Sequence, residues 1–377
     1  MKRIIGFLLL LVFFSCKDEE LSPDNELLCE VTEYQNDCDP SKPLTSPENY
    51  QLNTIGHITQ NSQVDFPVLQ KFQFVSEQKG FAYSNDIYSS VSEFFKTTDE
   101  GSNWDLVEID SLDSISNFQF RDESFGILVG NRNEIFITEN GGLDWQLTSL
   151  IEDSENVAAV TAIVYDDLKN IYISVLRIEF ENNFKTSISI LKSIDNGASW
   201  ETIFTPGSGG LFTSVSVQSD MLIIEHGFSI SKVSLDGDLI SETELDNPTD
   251  DFYVINENEW VRLSQFGGLY VTQDAGLNWT KISGYRSSSG IAGLSGGRII
   301  GFESIDKGLY IGEVGTCPYE DHAVEECAIF FIDNAEGICQ YSDSAYNING
   351  RMSNSQKMGA NKWYMAVDGY LIALEED

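Results

Sequence analysis

Short apolar runs separated by turn residues recur along most of this chain. Phe94-Phe95, Ile135–Ile137, Leu269–Val271 and Arg298–Phe302 read as strands, bounded by Gly, Asn, Asp and Ser. Phe72-Gln73-Phe74 and Phe118-Gln119-Phe120 are identical triplets 46 residues apart. Each is followed six residues later by a glycine, Gly80 or Gly126, and another strand-like run. Further strands are expected at Lys362–Glu375, with a closing strand at Tyr50–His57.

Four of the strand-like segments lead into one repeated octet. Thr97–Trp104 reads TTDEGSNW, Thr138–Trp145 TENGGLDW, Ser193–Trp200 SIDNGASW and Thr272–Trp279 TQDAGLNW. A hydroxyl residue, an Asp or Asn, a Gly and a Trp hold fixed offsets: Asp99, Gly101 and Trp104; Asn140, Gly142 and Trp145; Asp195, Gly197 and Trp200; Asp274, Gly276 and Trp279. The Asp oxygen can accept N–H groups that a tight turn leaves unpaired. The Gly supplies a backbone conformation other residues resist, and the Trp ring covers the turn. Asn140 keeps the acceptor oxygen but cannot serve as a general acid or base, so the octet is structural.

The octet resembles the BNR or Asp-box repeat of sialidases, xyloglucanases, sortilin-type receptors and photosystem II assembly factor-like proteins. That resemblance implies an all-β fold, a single β-propeller of four-stranded antiparallel blades, with each box between a blade's third and fourth strands. The box tryptophans lie 41, 55 and 79 residues apart. The last gap holds two blades of about 40 residues, so a blade with a degraded box is expected around Ser214 to Leu245. Six blades are then expected from about residue 69 to 332. The strands at the two ends of the chain would complete a seventh and protect the sheet edges; six blades is the alternative.

The longest apolar run belongs to a different element. Lys2 and Arg3 precede Ile4–Phe14, 11 residues, where a membrane span needs roughly 20. Ser15-Cys16 follows, which resembles a bacterial lipobox, so residues 1–15 are expected to be a lipoprotein signal peptide and Cys16 the lipidated residue. Lys17-Asp18-Glu19-Glu20 resembles the surface-export signal of some Gram-negative lipoproteins. Residues 16–48 would then be a tether and 49–377 the propeller, outer-membrane anchored and displayed on the cell surface. The membrane would be touched only through the lipid. Five other cysteines, Cys29, Cys38, Cys317, Cys327 and Cys339, suggest disulfides in an oxidising compartment, with one thiol left over.

Composition narrows the partners. Hydrophobic residues make up 41% of the 377, enough for a core, while 22 Lys and Arg face 60 Asp and Glu for a net charge of -38. Nucleic acid is a poor partner for such a field; a neutral glycan or another surface or envelope protein suits it better.

Catalytic patterns are sparse. Sialidases carry an Arg-Ile-Pro near the first blade, and this chain has none, nor any Arg between Arg3 and Arg121. Gly293-Leu294-Ser295-Gly296-Gly297 satisfies G-x-S-x-G, yet a strand follows where hydrolases place a helix. His57, His226 and His322 show no ligand spacing, and no C-x-x-C pair exists. No metal or cofactor is expected. The chain reads as a non-catalytic binding or assembly module; a glycoside hydrolase with an unrecognised active site is the alternative. In the resembling propellers ligands bind the face opposite the boxes. The loops expected there carry Tyr88, Arg132, Arg177, Phe180, Phe184, Phe266, Tyr285 and Arg286, aromatics for stacking and arginines for forked hydrogen bonds.

Overall fold

A computed structural model describes residues 50–377, apart from 90, 111, 152–156, 180–184, 208–212, 265–267, 284–297, 320–321, 334–336, 341–347, 350–351, 360, 368 and 377. The expected signal peptide, Cys16, Cys29, Cys38, the tether and the G-x-S-x-G segment lie outside the described residues.

The described strands form seven antiparallel sheets, six of four strands and one of five. In chain order the first six run over Pro67–Val107, Ile115–Leu150, Val157–Phe204, Thr213–Glu244, Thr249–Ser283 and Arg298–Asn349. The seventh takes three strands from Met352–Glu376 and its outermost strand from Tyr50–His57, which pairs antiparallel with Tyr370–Glu376. The first strands of successive sheets neighbour one another in a closed ring, with Met352–Lys357 of the last sheet beside Pro67–Phe74 of the first. The chain is a β-propeller, and strands from both ends of the described chain close it as expected. The sheet at Thr213–Glu244 is the blade expected in the long tryptophan gap.

Burial peaks at the second strand of a blade and falls away toward the fourth. Second strands such as Gly126–Gly130 and Trp260–Ser264 are buried along their whole length; the first reads as an apolar run, and the second buries Arg262 among its apolar residues. Fourth strands such as Gln146–Leu150 and Leu239–Glu244 are largely exposed and polar. The hydrophobic clusters lie between blades. Phe81, Phe94 and Tyr83 of the first blade pack on Phe118, Phe120 and Phe136 of the second, and the rings of Phe81 and Phe120 stack at 3.6 Å.

The repeated Phe-Gln-Phe triplets serve this packing in two ways. Phe74 pairs across the strands with Gly80, and Phe120 with Gly126. A Cβ on Gly80 would lie 2.9 Å from the Phe74 ring, so only glycine lets the ring lie flat across the neighbouring strand. Phe302 and Gly308 repeat the pair in the sixth blade.

The glutamine between the rings joins blades. Gln73 donates Nε2 to Phe120 O and accepts from Phe120 N, both at 2.8 Å, replacing a backbone partner in the next blade. Gln356 treats Phe74 in the same way across the closure, at 2.8 and 2.7 Å. Asn354 does so for Phe72, at 2.9 Å in both directions. Neighbouring first strands splay too far apart for a ladder, and a carboxamide carries the donor and acceptor needed to satisfy both backbone groups.

Cys317, Cys327 and Cys339 fall in strands of the sixth blade, where the register sets Val324, Glu313 and Phe331 opposite them and no second cysteine.

Candidate functional site

All four octets form the turn between third and fourth strands, at one end of the propeller. In the first, Asp99 Oδ1 accepts from Asn103 N at 3.0 Å, and Asn103 Nδ2 donates to Asp99 Oδ2 at 2.7 Å. The hydroxyl of Thr97 donates to Asp99 Oδ1 at 2.8 Å and accepts from Gly101 N at 3.1 Å. The same pattern recurs on Ser193 and Asp195, and on Thr272 and Asp274. Two successive residues hold left-handed backbone: Glu100 with Gly101, Gly141 with Gly142, Asn196 with Gly197, and Ala275 with Gly276. The tryptophan reaches further than its own turn. Trp145 packs edge-on against Phe94 of the preceding blade at 5.6 Å, and Trp104 against Phe74 at 5.9 Å. In the degraded turn Ser234 Oγ still accepts from the fourth residue on, Asp238 N, while Asp236 pairs with Lys192 at 2.9 Å.

These hydrogen bonds hold the carboxyls of Asp99, Asp195 and Asp274 below the usual carboxylate range; Asp274, served by the side chain and backbone of Asn278, falls to about 2. They are fully engaged acceptors. Leu143, Ile194 and Leu277 project from three of the octets as single exposed aliphatics, an ordinary surface feature.

Turns between second and third strands lie at the other end, because consecutive antiparallel strands alternate ends. The turn after Gly80–Asp86 carries Tyr88, 79% exposed. Its ring meets Phe66, 56% exposed, edge to face at 5.2 Å. Ile87 and Val91 are exposed beside them. Asp86 fastens the group: Oδ1 accepts from Tyr88 N at 2.8 Å and Ser89 N at 2.6 Å, and Oδ2 from Phe66 N at 3.3 Å. The backbone N–H groups of Ser89 and Tyr88 draw its carboxyl below the ordinary value. Two exposed rings, one on the turn and one just before the first strand, are fastened by the same carboxylate into a preorganised contact surface.

The other loop residues expected to bind are placed in part. Arg132 is exposed in the corresponding turn of the second blade and ion-paired with Asp113. Arg177 is half-buried in the strand Ile171–Glu179, opposite Val157. Phe180, Phe184, Phe266, Tyr285 and Arg286 lie outside the described residues. Phe228, 57% exposed in the turn of the fourth blade, and Phe66 escaped sequence reading. Phe66 becomes part of the surface only through its contact with Tyr88.

Six of the seven first strands line a cavity of about 640 Å³ on the ring axis. Lys71 and Glu225 both face it. Lys71 Nζ donates to Asn117 Oδ1, Phe118 O and Gln119 Oε1 at 3.0, 2.7 and 2.9 Å, and burial draws the ammonium down to about 8. Glu225 is 3% exposed. Burial pushes its carboxyl up to about 8, with Arg262 opposing and Asp251 adding to the shift. The visible signal in sequence was a charged residue inside an apolar strand, in Leu69–Phe72 and Leu222–His226. Among the described residues no three His, Cys, Asp or Glu side chains group closely enough to hold a metal ion.

No protein-family profile matches the chain, and no curated protein matches it by sequence. Solved structures do match by fold. A structure of YCF48 bound to D1 peptide superposes with a TM-score of 0.60 at 13% identity, covering 89% of this chain and 100% of the other. YCF48 from Cyanidioschyzon merolae gives 0.57 at 12%, covering 87% and 99%. The WD40 propeller domain of Doa1 gives 0.52 at 10%, covering 86% and 96%. At these identities the likeness establishes the propeller fold.

Proposed function

We propose that this propeller is a non-catalytic binding module that takes a protein segment on the face opposite its box turns. The observation that carries the reading is the Phe66–Tyr88 pair, with Ile87 and Val91 beside it, fastened by Asp86 at that end of the first blade. Exposed aromatics grouped on a rigid surface are the anchors protein interfaces use. YCF48, of similar fold, has been seen with a bound peptide. The net charge of -38 favours a partner segment with basic residues.

The octets supply the BNR or Asp-box architecture of the opposite face, and the Ser15-Cys16 junction supplies the anchor. Lipidation at Cys16 would hold the propeller at the outer membrane, with Lys17–Glu20 directing it to the cell surface. Labelled palmitate should enter the wild type and not Cys16→Ala, and protease added to intact cells should digest the protein.

The binding test is selection of extended peptides from a display library on the immobilised protein. Enriched peptides should lose at least about tenfold in affinity, roughly 1.4 kcal/mol, on Tyr88→Ala and Phe66→Ala, with unchanged melting temperature. Leu143→Ala, on the box face, should leave binding intact. Loss with Leu143→Ala alone would move the site to the other face. A glycan array that gives a bound and hydrolysed sugar would replace the reading with the glycosidase alternative.

A further inference from the structure

The axial cavity contains a carboxyl group without a full set of partners. Among the described residues Glu225 Oε1 is buried and accepts no hydrogen bond, while the backbone N–H of Ser214 serves the carboxyl group. Leaving such an atom dry and unpaired costs roughly 1–3 kcal/mol, and native interiors keep few of them. The nearby cations do not remedy it. All three donors of Lys71 are committed to Asn117, Phe118 and Gln119. Arg262 stacks on Tyr270 and Trp279, at 4.3 and 5.2 Å, and donates Nη1 to Asn247 O at 3.2 Å.

We propose that the axial cavity binds the primary ammonium group of a slender alkyl chain, with Glu225 Oε1 as its counter-ion. This site stands apart from the Tyr88 surface and does not depend on it. About 640 Å³ lies within the range of small-ligand sites. Asp250 and Asp251 line the same space, so carboxylates outnumber the one lining cation, Lys71. A strongly acidic protein also concentrates cations in such a recess. The ligand class follows from the single free oxygen. A compact ammonium is satisfied by one carboxylate oxygen plus a neutral acceptor such as the Thr161 hydroxyl on the cavity wall, whereas a guanidinium favours a carboxylate free on both oxygens. A hard divalent cation needs six or more oxygen ligands, and no suitable acidic group of three is present among the described residues.

Binding is linked to pH. The carboxyl of Glu225 is raised to about 8, so below that pH the free protein must release a proton before the ion pair forms. The groups facing it are Arg262, Asp250 and Asp251 on the fifth blade and Lys71 and Tyr83 across the cavity. His226, next in the strand, faces the other side of the sheet and bonds Ser231 Oγ at 2.8 Å. Tyr83 stays neutral, its phenol raised by burial. Lys71, drawn down to about 8, titrates in the same window and repels a cation less as pH rises.

The source of the amine is decided by two probes in titration calorimetry at pH 8.5. One is 1,5-diaminopentane, a free diamine. The other is N-acetyl-lysine methylamide, a lysine side chain as a protein would present it. Saturable binding of either supports the site, and which one binds tighter names the source. Glu225→Gln, isosteric with the protonated acid, should fold normally and weaken binding at least about tenfold. Wild-type affinity should fall about tenfold per unit from pH 8 to 6, with close to one proton released at pH 7 when buffers of different ionisation heat are compared. Any pH dependence left in Glu225→Gln belongs to Lys71. Tyr88→Ala should change nothing. Failure of both probes to bind at about 10 mM, tenfold above even a millimolar Kd, overturns the proposal. So does equal affinity in wild type and Glu225→Gln.

Discussion

Asn140 donates its Nδ2 to Asp144 Oδ2 at 2.8 Å, the reverse of the first turn, where Asn103 donates to Asp99 Oδ2 at 2.7 Å. Acid and amide have exchanged places, and the oxygen that receives the backbone N–H four residues on is kept in both. The turn therefore requires one acceptor at its third position and a donor–acceptor match across it, not a charge at a given position.

Asp195→Ala should cost about 1 kcal/mol, the lower part of the range for a lost acceptor, because the Ser199 N–H it serves is solvent-exposed. Asp195→Asn should cost a few tenths, since Ser199 Oγ can turn from donor to acceptor. Urea denaturation measures both, and equal losses would remove the acceptor account of the turn.

Asp274 gives the acid limb of stability a definite sign. Its folded pKa is depressed from 3.8 to about 2, so its contribution is complete above pH 4 and is lost as pH falls toward 2. Asp274→Asn should flatten the denaturation midpoint over pH 4 to 2 relative to wild type. An unchanged slope there would show that other carboxyls control the limb.

Glu100 is exposed and holds φ +62. Left-handed backbone costs a non-glycine residue roughly 1–2 kcal/mol, and glycine returns about 0.4–1 kcal/mol of that through its freer unfolded chain. Glu100→Gly should stabilise by roughly 0.5 kcal/mol, read as a small rise in melting temperature.

Gln356 joins the last blade to the first. Its removal leaves both polar groups of Phe74 unpaired, so Gln356→Ala should cost about 2–4 kcal/mol. Gln356→Glu should not rescue it, because an ionised carboxylate cannot donate to Phe74 O. Hydrogen exchange at the Phe74 amide should accelerate in Gln356→Ala, whereas Gln356→Glu keeps an acceptor for that N–H and loses only the donor to Phe74 O.

Glu225 also affects the protein without ligand. A carboxyl raised from 4.5 to about 8 in the folded state favours folding at low pH and loses that advantage as pH rises through about 8. Glu225→Gln should gain stability over wild type progressively between pH 4.5 and 8, with a constant difference above. A difference independent of pH would mean that Glu225 titrates normally.

Much of this architecture is local and therefore readable. Within each octet the hydroxyl, acceptor and glycine interact over at most four residues, and in the first and third the tryptophan donates to the glycine O, so spacing alone exposes the turn, and its recurrence implies the blade. The Phe-Gln-Phe triplets marked the first strands, and the glycine six residues on marked the second, because that pair meets across one hairpin. The strands at the two ends of the chain were recognisable as the pieces of a closing blade. What the glutamine in the triplet does was not visible, since its partners lie about 47 residues away in the next blade, and those of Gln356 lie 282 away.

The repeat, the turn chemistry and the propeller were thus determined by sequence, through contacts short enough to leave a periodic trace. Tertiary structure alone decided the sites. Phe66 and Tyr88 become one surface because Asp86 binds both segments. Lys71 and Glu225 share one cavity because the ring brings the first and fourth blades around a common axis. A charged residue in a strand carries no sign of which way the closed ring will turn it. Only closure buries Glu225, and that burial is what raises its carboxyl and makes its unpaired oxygen a candidate for binding.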